Sequence, residues 1–173
     1  MRQIRKELGK LINYAKGHGI DVYIREDNSS ANSGEWVLKS DKIEIIIYEK
    51  KPILQYLTLL HELAHHKQFV IDKRVVPSKT RKAYEKEAEL LADEFLAKEY
   101  RYIIYQSEVN DSKHQFDILK DTNSSIPVWR VKLEIAVDLF TYKRYYQTGS
   151  FPLVKEIVAK RKELRKRYAT RLK

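Results

Sequence analysis

The chain contains no cysteine, and this absence excludes a whole group of sites. Disulfides, iron–sulfur clusters and cysteine-ligated zinc all require thiols, so any metal must be held by His, Asp and Glu. Long apolar runs are also lacking, because no stretch reaches the roughly 18 residues that a membrane span needs. The N-terminal MRQIRKELGK becomes charged at once, unlike a secretory signal. These absences predict a cytoplasmic protein with no membrane partner.

Positive charge is in excess, at +10 over 173 residues, and much of it lies near the C-terminus. Residues 151–173 contain nine Lys and Arg against two Glu. Such a cluster can bind nucleic acid by releasing counterions from phosphates. Its apolar residues nevertheless recur with the spacing of an ordinary amphipathic helix, which favours a solvated outer face or a protein-docking helix over nucleic-acid binding.

The hydrophobic content of 43% and the hydrophobic periodicity predict one globular domain of the α+β class. Three β-rich runs predict a short antiparallel sheet, with a hairpin across Ser40-Asp41; these runs are residues 20–24, 35–40 and 42–50. Residues 107–125 are polar and predict a loop. Helical spacing occurs in five segments, at residues 2–16, 52–71, about 78–105, about 127–146 and about 153–170.

The stretch LHELAHH, residues 60–66, places two histidines and a glutamate in an otherwise apolar helix. Residues four apart lie on one helical face, so His61 and His65 can point their imidazoles at one ion. Glu62 lies beside that face. This HExxH arrangement is typical of zinc sites in which the Glu acts as general base. His66 lies about 100° around the helix and is interpreted as a surface or packing residue.

A third metal ligand is sought on the next predicted helix, in EAELLADEFLA, residues 87–97. Glu89 and Asp93 are four residues apart, so both can face the HExxH helix. Glu89 would be the ligand, and Asp93 would accept the distal N–H of a zinc-bound histidine. Glu85 is the main competitor of Glu89, because this segment is rich in acidic residues.

Together the two motifs resemble those of the ImmA/IrrE family of zinc metallopeptidases, which belong to the gluzincins. The resemblance covers roughly residues 35–100, and one position departs from the motif, with Leu96 where the family has Ala. It implies a small zincin-like metallopeptidase fold, and we predict this domain at residues 1–126. Residues 127–173 are predicted to form a basic helical extension packed on the same domain. The resemblance also implies zinc held by three side chains, a general base and an orienting carboxylate, namely His61, His65 and Glu89, with Glu62 and Asp93.

The same resemblance implies hydrolysis of a peptide bond by zinc-activated water, with Glu62 accepting the proton. The substrate would be a specific regulatory protein, such as a transcriptional repressor in a bacterial, phage or mobile-element setting. The strand near residues 42–48 could bind it as an added strand. Candidates for the oxyanion donor are His114, Tyr84 and Tyr100.

Two further peptidase families and one class of binding protein are alternatives to this interpretation. The metzincin motif HExxHxxGxxH fails, because Gln68 and Ile71 stand where it needs glycine and histidine. A DNA-associated protease of the SprT kind would need a third histidine, for which only His114 is available. The alternative from a different class is a binding protein with a structural or vestigial zinc site, which holds a regulator or nucleic acid through its C-terminal helices.

Overall fold

The structure, a computed structural model, describes residues 2–25, 33–39, 42–72, 81–91 and 93–170. Within these residues it contains six helices and three strands, which confirms the predicted α+β class. The strands are β1 (Ile20–Ile24), β2 (Gly34–Leu38) and β3 (Ile43–Ile47). The helices are α1 (Arg2–Gly17), α2 (Pro52–Asp72), α3 (Arg81–Glu89), α4 (Glu94–Asp121), α5 (Val128–Thr148) and α6 (Val154–Thr170).

The three strands form one mixed sheet in the order β1-β3-β2. β2 and β3 are antiparallel, as the predicted hairpin requires, with Trp36 opposite Ile45. β1 is parallel to β3, with Ile20 opposite Ile43, so the prediction of a purely antiparallel sheet was wrong. The chain reverses direction after β1 and again after β2, so β3 runs in the direction of β1 when it enters between the two.

The chain divides into two compact units. The first contains Met1–Ser78 and Asn110–Ile126, and the second contains Lys79–Val109 and Pro127–Lys173. The division therefore falls inside α4, which continues without a break from one unit into the other. Residues 79–109 group with the C-terminal helices. The domain predicted from the sequence, residues 1–126, included them.

The first unit is built around α2, which packs against α1 and against strands β2 and β3. Apolar residues of α1, α2 and β3 are fully buried; they include Leu11, Ala15, Ile45, Ile47, Leu59, Leu60 and Leu63. Polar contacts join the segment that follows α4 to this core. The Tyr56 hydroxyl lies 2.7 Å from Ser124 Oγ, and the backbone N–H of Ser125 donates to Glu7 Oε2 at 3.2 Å.

The second unit has its own core around α5 and α6. Leu133 and Val137 of α5 pack with Leu164 of α6. The buried hydroxyl of Tyr145 donates to the backbone oxygen of Tyr84 in α3 at 2.7 Å. The ring of Tyr145 also stacks on Phe151, with 4.2 Å between the centroids. The C-terminal helices therefore belong to a packed unit that includes α3.

The predicted helix over about residues 78–105 and the predicted loop over 107–125 were both wrong within the described residues. α3 ends at Glu89, and a new helix, α4, starts at Glu94 and runs to Asp121. Asp93 caps α4, because its Oδ1 accepts the backbone N–H of Leu96 at 3.0 Å. No helix in the described ranges is long and apolar enough to cross a bilayer. The cytoplasmic location stays a prediction.

Candidate metal centre

His61 and His65 face each other on α2, one turn apart. Their Nε2 atoms are 3.1 Å apart, and their rings meet edge to face at 85°. Two Nε2 atoms at this distance cannot both carry a proton, so they either share one proton or bind one cation together. The sequence-predicted histidine pair is therefore assembled in the structure.

Two side chains of α4 lie at the other ring nitrogens of the two histidines. Oδ2 of Asp111 is 2.5 Å from His65 Nδ1. The amide Nε2 of Gln115 is 3.3 Å from His61 Nδ1. Asp111 and Gln115 are four residues apart on the helix, as the two histidines are, so the two pairs match in spacing. Because the two Nδ1 atoms have these partners, the Nε2 atoms are the nitrogens that can bind a metal.

A fourth side chain, Glu108, joins this group. Ligand atoms of His61, His65, Glu108 and Asp111 all lie within 4.8 Å of one another. Glu108 precedes Asp111 by three residues on the same face of α4, which is uninterrupted there. Imidazole and carboxylate ligands fit zinc and several other divalent ions. We refer to these four residues as the His61 cluster.

The surroundings of Asp111 fit a bound cation. The side chain is completely buried; Oδ2 lies against His65 Nδ1, and Oδ1 has no hydrogen-bond partner among the described residues. Burial raises the pKa of this carboxyl well above its ordinary value of 3.8, and the charge of His61 acts in the opposite direction. A buried carboxylate with a single hydrogen-bond partner is costly, and a cation nearby would lower that cost.

Glu62, the predicted general base, is buried next to the histidines and lies against the start of β2. A Cβ atom at Gly34 would lie 3.2 Å from Glu62 Oε1 and only 2.5 Å from Thr58 Cγ2. The missing side chain of Gly34 therefore provides the space that Glu62 occupies.

The two acidic residues predicted from the second motif are placed differently. Glu89 is the exposed last residue of α3, and Asp93 is the exposed cap of α4. Turn residues between them interrupt the helix, so they do not share one helical face as predicted. Neither belongs to the His61 cluster. The assignment of Glu89 and Asp93 to a metal site stays a prediction.

Three buried α4 residues were not predicted as site residues, because they belong to the polar stretch that predicts a loop. Glu108, Asp111 and Gln115 are all buried, between the buried residues Ile104 and Ile118. Positions 104, 108, 111, 115 and 118 have the spacing of one helical face. This spacing could have predicted a helix. It was not recognised, because the three central residues are polar and helix prediction relies on apolar ones.

Comparisons of the chain with protein-family models, curated proteins and solved structures give no match. The resemblance to ImmA/IrrE peptidases is carried by the motif residues alone and stays a prediction. The interpretation of the site therefore depends on its own chemistry, namely two facing imidazoles, two carboxylates and a buried glutamate.

Proposed function

We propose that the protein is a metallopeptidase that uses one divalent cation, zinc by preference, to hydrolyse a peptide bond. The observation that carries the proposal is the approach of the His61 and His65 Nε2 atoms to 3.1 Å beside carboxylates of α4. Glu62, a buried acidic residue, adjoins this pair on the same helix. Together these groups supply the ligands and the base that metal-assisted hydrolysis requires.

The roles of the two α4 carboxylates follow from their positions. Asp111 contacts His65 at Nδ1, the ring atom turned away from His61, so we assign Asp111 to orienting His65. Glu108 then serves as the third ligand with His61 and His65. Three protein ligands leave one position open, as catalytic zinc sites do. A cation held by these residues would supply Lewis acidity and lower the pKa of a water molecule.

Glu62 is the general base in this proposal. A carboxylate can accept the proton of the attacking water and later transfer it to the leaving amine. Its burial against β2 limits its movement, and Gly34 provides the room that it needs. Replacement by Gln would preserve the shape of the side chain and remove its ability to accept that proton.

The substrate would bind along β2 and not along the strand near residues 42–48 that the sequence analysis favoured. β3 is the middle strand and is paired on both sides, so it has no free edge. Among the described residues β2 pairs with β3 alone, and its first residue, Gly34, adjoins Glu62. An extended segment added to β2 would run close to the base. We propose an extended segment of a regulatory protein, such as a repressor, as the substrate.

The test is peptide hydrolysis by the zinc-loaded protein, detected as new N-termini by mass spectrometry on a library of unstructured peptides. We expect the wild-type protein to cleave a narrow set of peptides. Glu62→Gln should retain one metal ion per chain and lose cleavage. Glu99→Gln, which changes an exposed glutamate of α4, is the matched control and should cleave normally. Equal cleavage by wild type and Glu62→Gln would refute the proposed mechanism.

A second candidate function, binding of nucleic acid, is favoured by one feature of α6. Lys155, Lys162 and Arg165 are exposed and form no ion pair within the described residues, whereas Arg161 pairs with Glu134. Lys155 and Lys162 are seven residues apart and so share one helical face.

The experiment for this second candidate is duplex DNA affinity measured at several salt concentrations. Substitution of Lys155, Lys162 and Arg165 by Gln should lower the slope of log affinity against log salt by about 3 if each contacts a phosphate. Replacing three exposed, uncharged residues of the second unit should leave the slope unchanged. No measurable affinity of the wild-type protein at low salt would exclude this function.

A further inference from the structure

Gln115 is a buried polar residue whose side chain reaches one of the cluster histidines. It lies on α4, one turn after Asp111, and only about 5% of its surface is exposed. Its amide nitrogen lies 3.3 Å from Nδ1 of His61. An amide nitrogen carries two hydrogens and no acceptor lone pair, so in this orientation it donates to Nδ1.

This contact couples the orientation of the Gln115 amide to the tautomer of His61. If Nδ1 accepts a hydrogen bond, the proton of the neutral ring is on Nε2. That atom faces His65 Nε2 at 3.1 Å, so His61 donates to His65 across the position where a metal would bind. In this arrangement the Nε2 lone pair of His61 is not available to a cation.

A bound cation needs the opposite arrangement at His61. The lone pair of Nε2 must be free, so the ring must carry its proton on Nδ1. Gln115 must then present its oxygen, which requires the amide to rotate by 180°. The ring keeps one proton throughout, because one leaves Nε2 for solvent and one binds at Nδ1. Asp111, which contacts His65, is a carboxylate and needs no such rotation.

We propose that Gln115 is a positioning residue of the metal site whose amide selects the tautomer of His61. Its nitrogen donates to Nδ1 when the metal is absent, and its oxygen accepts from Nδ1–H when the metal is bound. The hydrogen-bond partners of the two histidines therefore differ. Asp111 can only accept from His65, whereas Gln115 can either donate to His61 or accept from it. This inference rests on the proposed metal site and does not require that the protein hydrolyses peptides.

The experiment combines zinc affinity with nitrogen-15 NMR of the imidazole rings. Zinc affinity is measured by chelator competition for the wild-type protein, Gln115→Met and Gln115→Glu. Methionine cannot accept from Nδ1–H with comparable strength, and we expect affinity to fall about 10- to 100-fold. Glutamate is an acceptor in the required orientation and should keep wild-type affinity or exceed it. Gln106→Met is the control, because residues nine apart lie on opposite sides of α4.

In the NMR spectra of the wild-type protein, the protonated nitrogen of His61 should change from Nε2 to Nδ1 when zinc is added. The spectra test the inference without any substitution. Wild-type zinc affinity in Gln115→Met, or an equal loss in the Met and Glu variants, would overturn it. So would a His61 ring that carries its proton on Nδ1 before zinc is added. Zinc binding with these shifts but without peptide cleavage would refute the proposed hydrolysis and leave the role of Gln115 intact.

Discussion

Nδ1 of His65 lies 2.5 Å from Oδ2 of Asp111, a carboxylate with no exposed surface. Asp111→Asn should therefore affect the metal-free and metal-bound proteins differently. It removes a buried charge, so without metal the free energy of unfolding should be unchanged or higher. It also replaces the acceptor that orients His65, so zinc affinity should fall about 10- to 100-fold. Urea unfolding with a chelator and zinc competition measure the two effects, with half-exposed Asp117→Asn as the control.

Metal content measured on two variants should distinguish the third ligands proposed on α4 and on α3. We expect Glu108→Gln to lose most of its zinc, because Glu108 contributes a ligand atom to the His61 cluster. Glu89→Gln should retain about one zinc per chain, since Glu89 is exposed at the end of α3. Elemental analysis after dialysis gives both values. Zinc lost from Glu89→Gln and kept by Glu108→Gln would restore the ligand set derived from the motif.

Gly34→Ala should destabilise the protein and reduce catalysis while metal content is maintained. The added Cβ would lie 2.5 Å from Thr58 Cγ2, so the backbone or the helix must shift. Overpacking of this kind typically costs about 1–3 kcal/mol, which urea unfolding can measure. Gly9→Ala is the matched control, because a Cβ there meets nothing within 4 Å and alanine favours a helix. Equal stabilities of the two variants would contradict the close approach at Gly34.

Stability should depend on pH through Glu7 of α1. Burial raises the pKa of this carboxyl, but hydrogen bonds from Lys10 and from Ser125 outweigh burial and hold the pKa below its ordinary value of 4.5. A carboxyl whose pKa is lowered by folding stabilises the folded state above its unfolded pKa. That contribution is lost as the pH falls through the folded pKa.

The comparison that tests this is Glu7→Gln against wild type in urea, with a chelator present, from about pH 7 down to about pH 3. We expect Glu7→Gln to be less stable at neutral pH and the difference to shrink below about pH 4.5. Glu49→Gln is the matched control for a change of glutamate to glutamine elsewhere in the first unit. A difference that stays constant with pH would mean that Glu7 acts through packing alone.

The sequence predicted the residues of α2 well, because four-residue spacing on a helix determines which side chains are neighbours. His61 and His65 meet as expected, and the helix extends over nearly the predicted range. The sheet direction could not be predicted in the same way. The direction of β1 relative to β3 depends on which strand lies in the middle of the sheet. The alternation of apolar and polar residues within each strand does not indicate which strand that is.

The α4 part of the site was unpredictable for a different reason. Helix prediction relies on apolar residues at the buried positions, and α4 places Glu108, Asp111 and Gln115 there. Polar side chains at buried positions break the apolar period that predicts a helix, so the sequence did not indicate one there. The acidic EAELLADEF segment produced the opposite error, since its charged residues Glu89 and Asp93 are exposed.

The segment after α4 is held by both α1 and α2. Gln3 donates to Ser125 Oγ at 2.8 Å, Lys10 donates to the backbone oxygen of Asn123 at 3.1 Å, and Tyr56 contacts Ser124. α1 contributes no residue to the His61 cluster, yet it contacts the segment that directly follows α4. By linkage, zinc binding should slow hydrogen–deuterium exchange of the α1 amides. The N-terminal helix would thus report occupancy of a site that it does not touch.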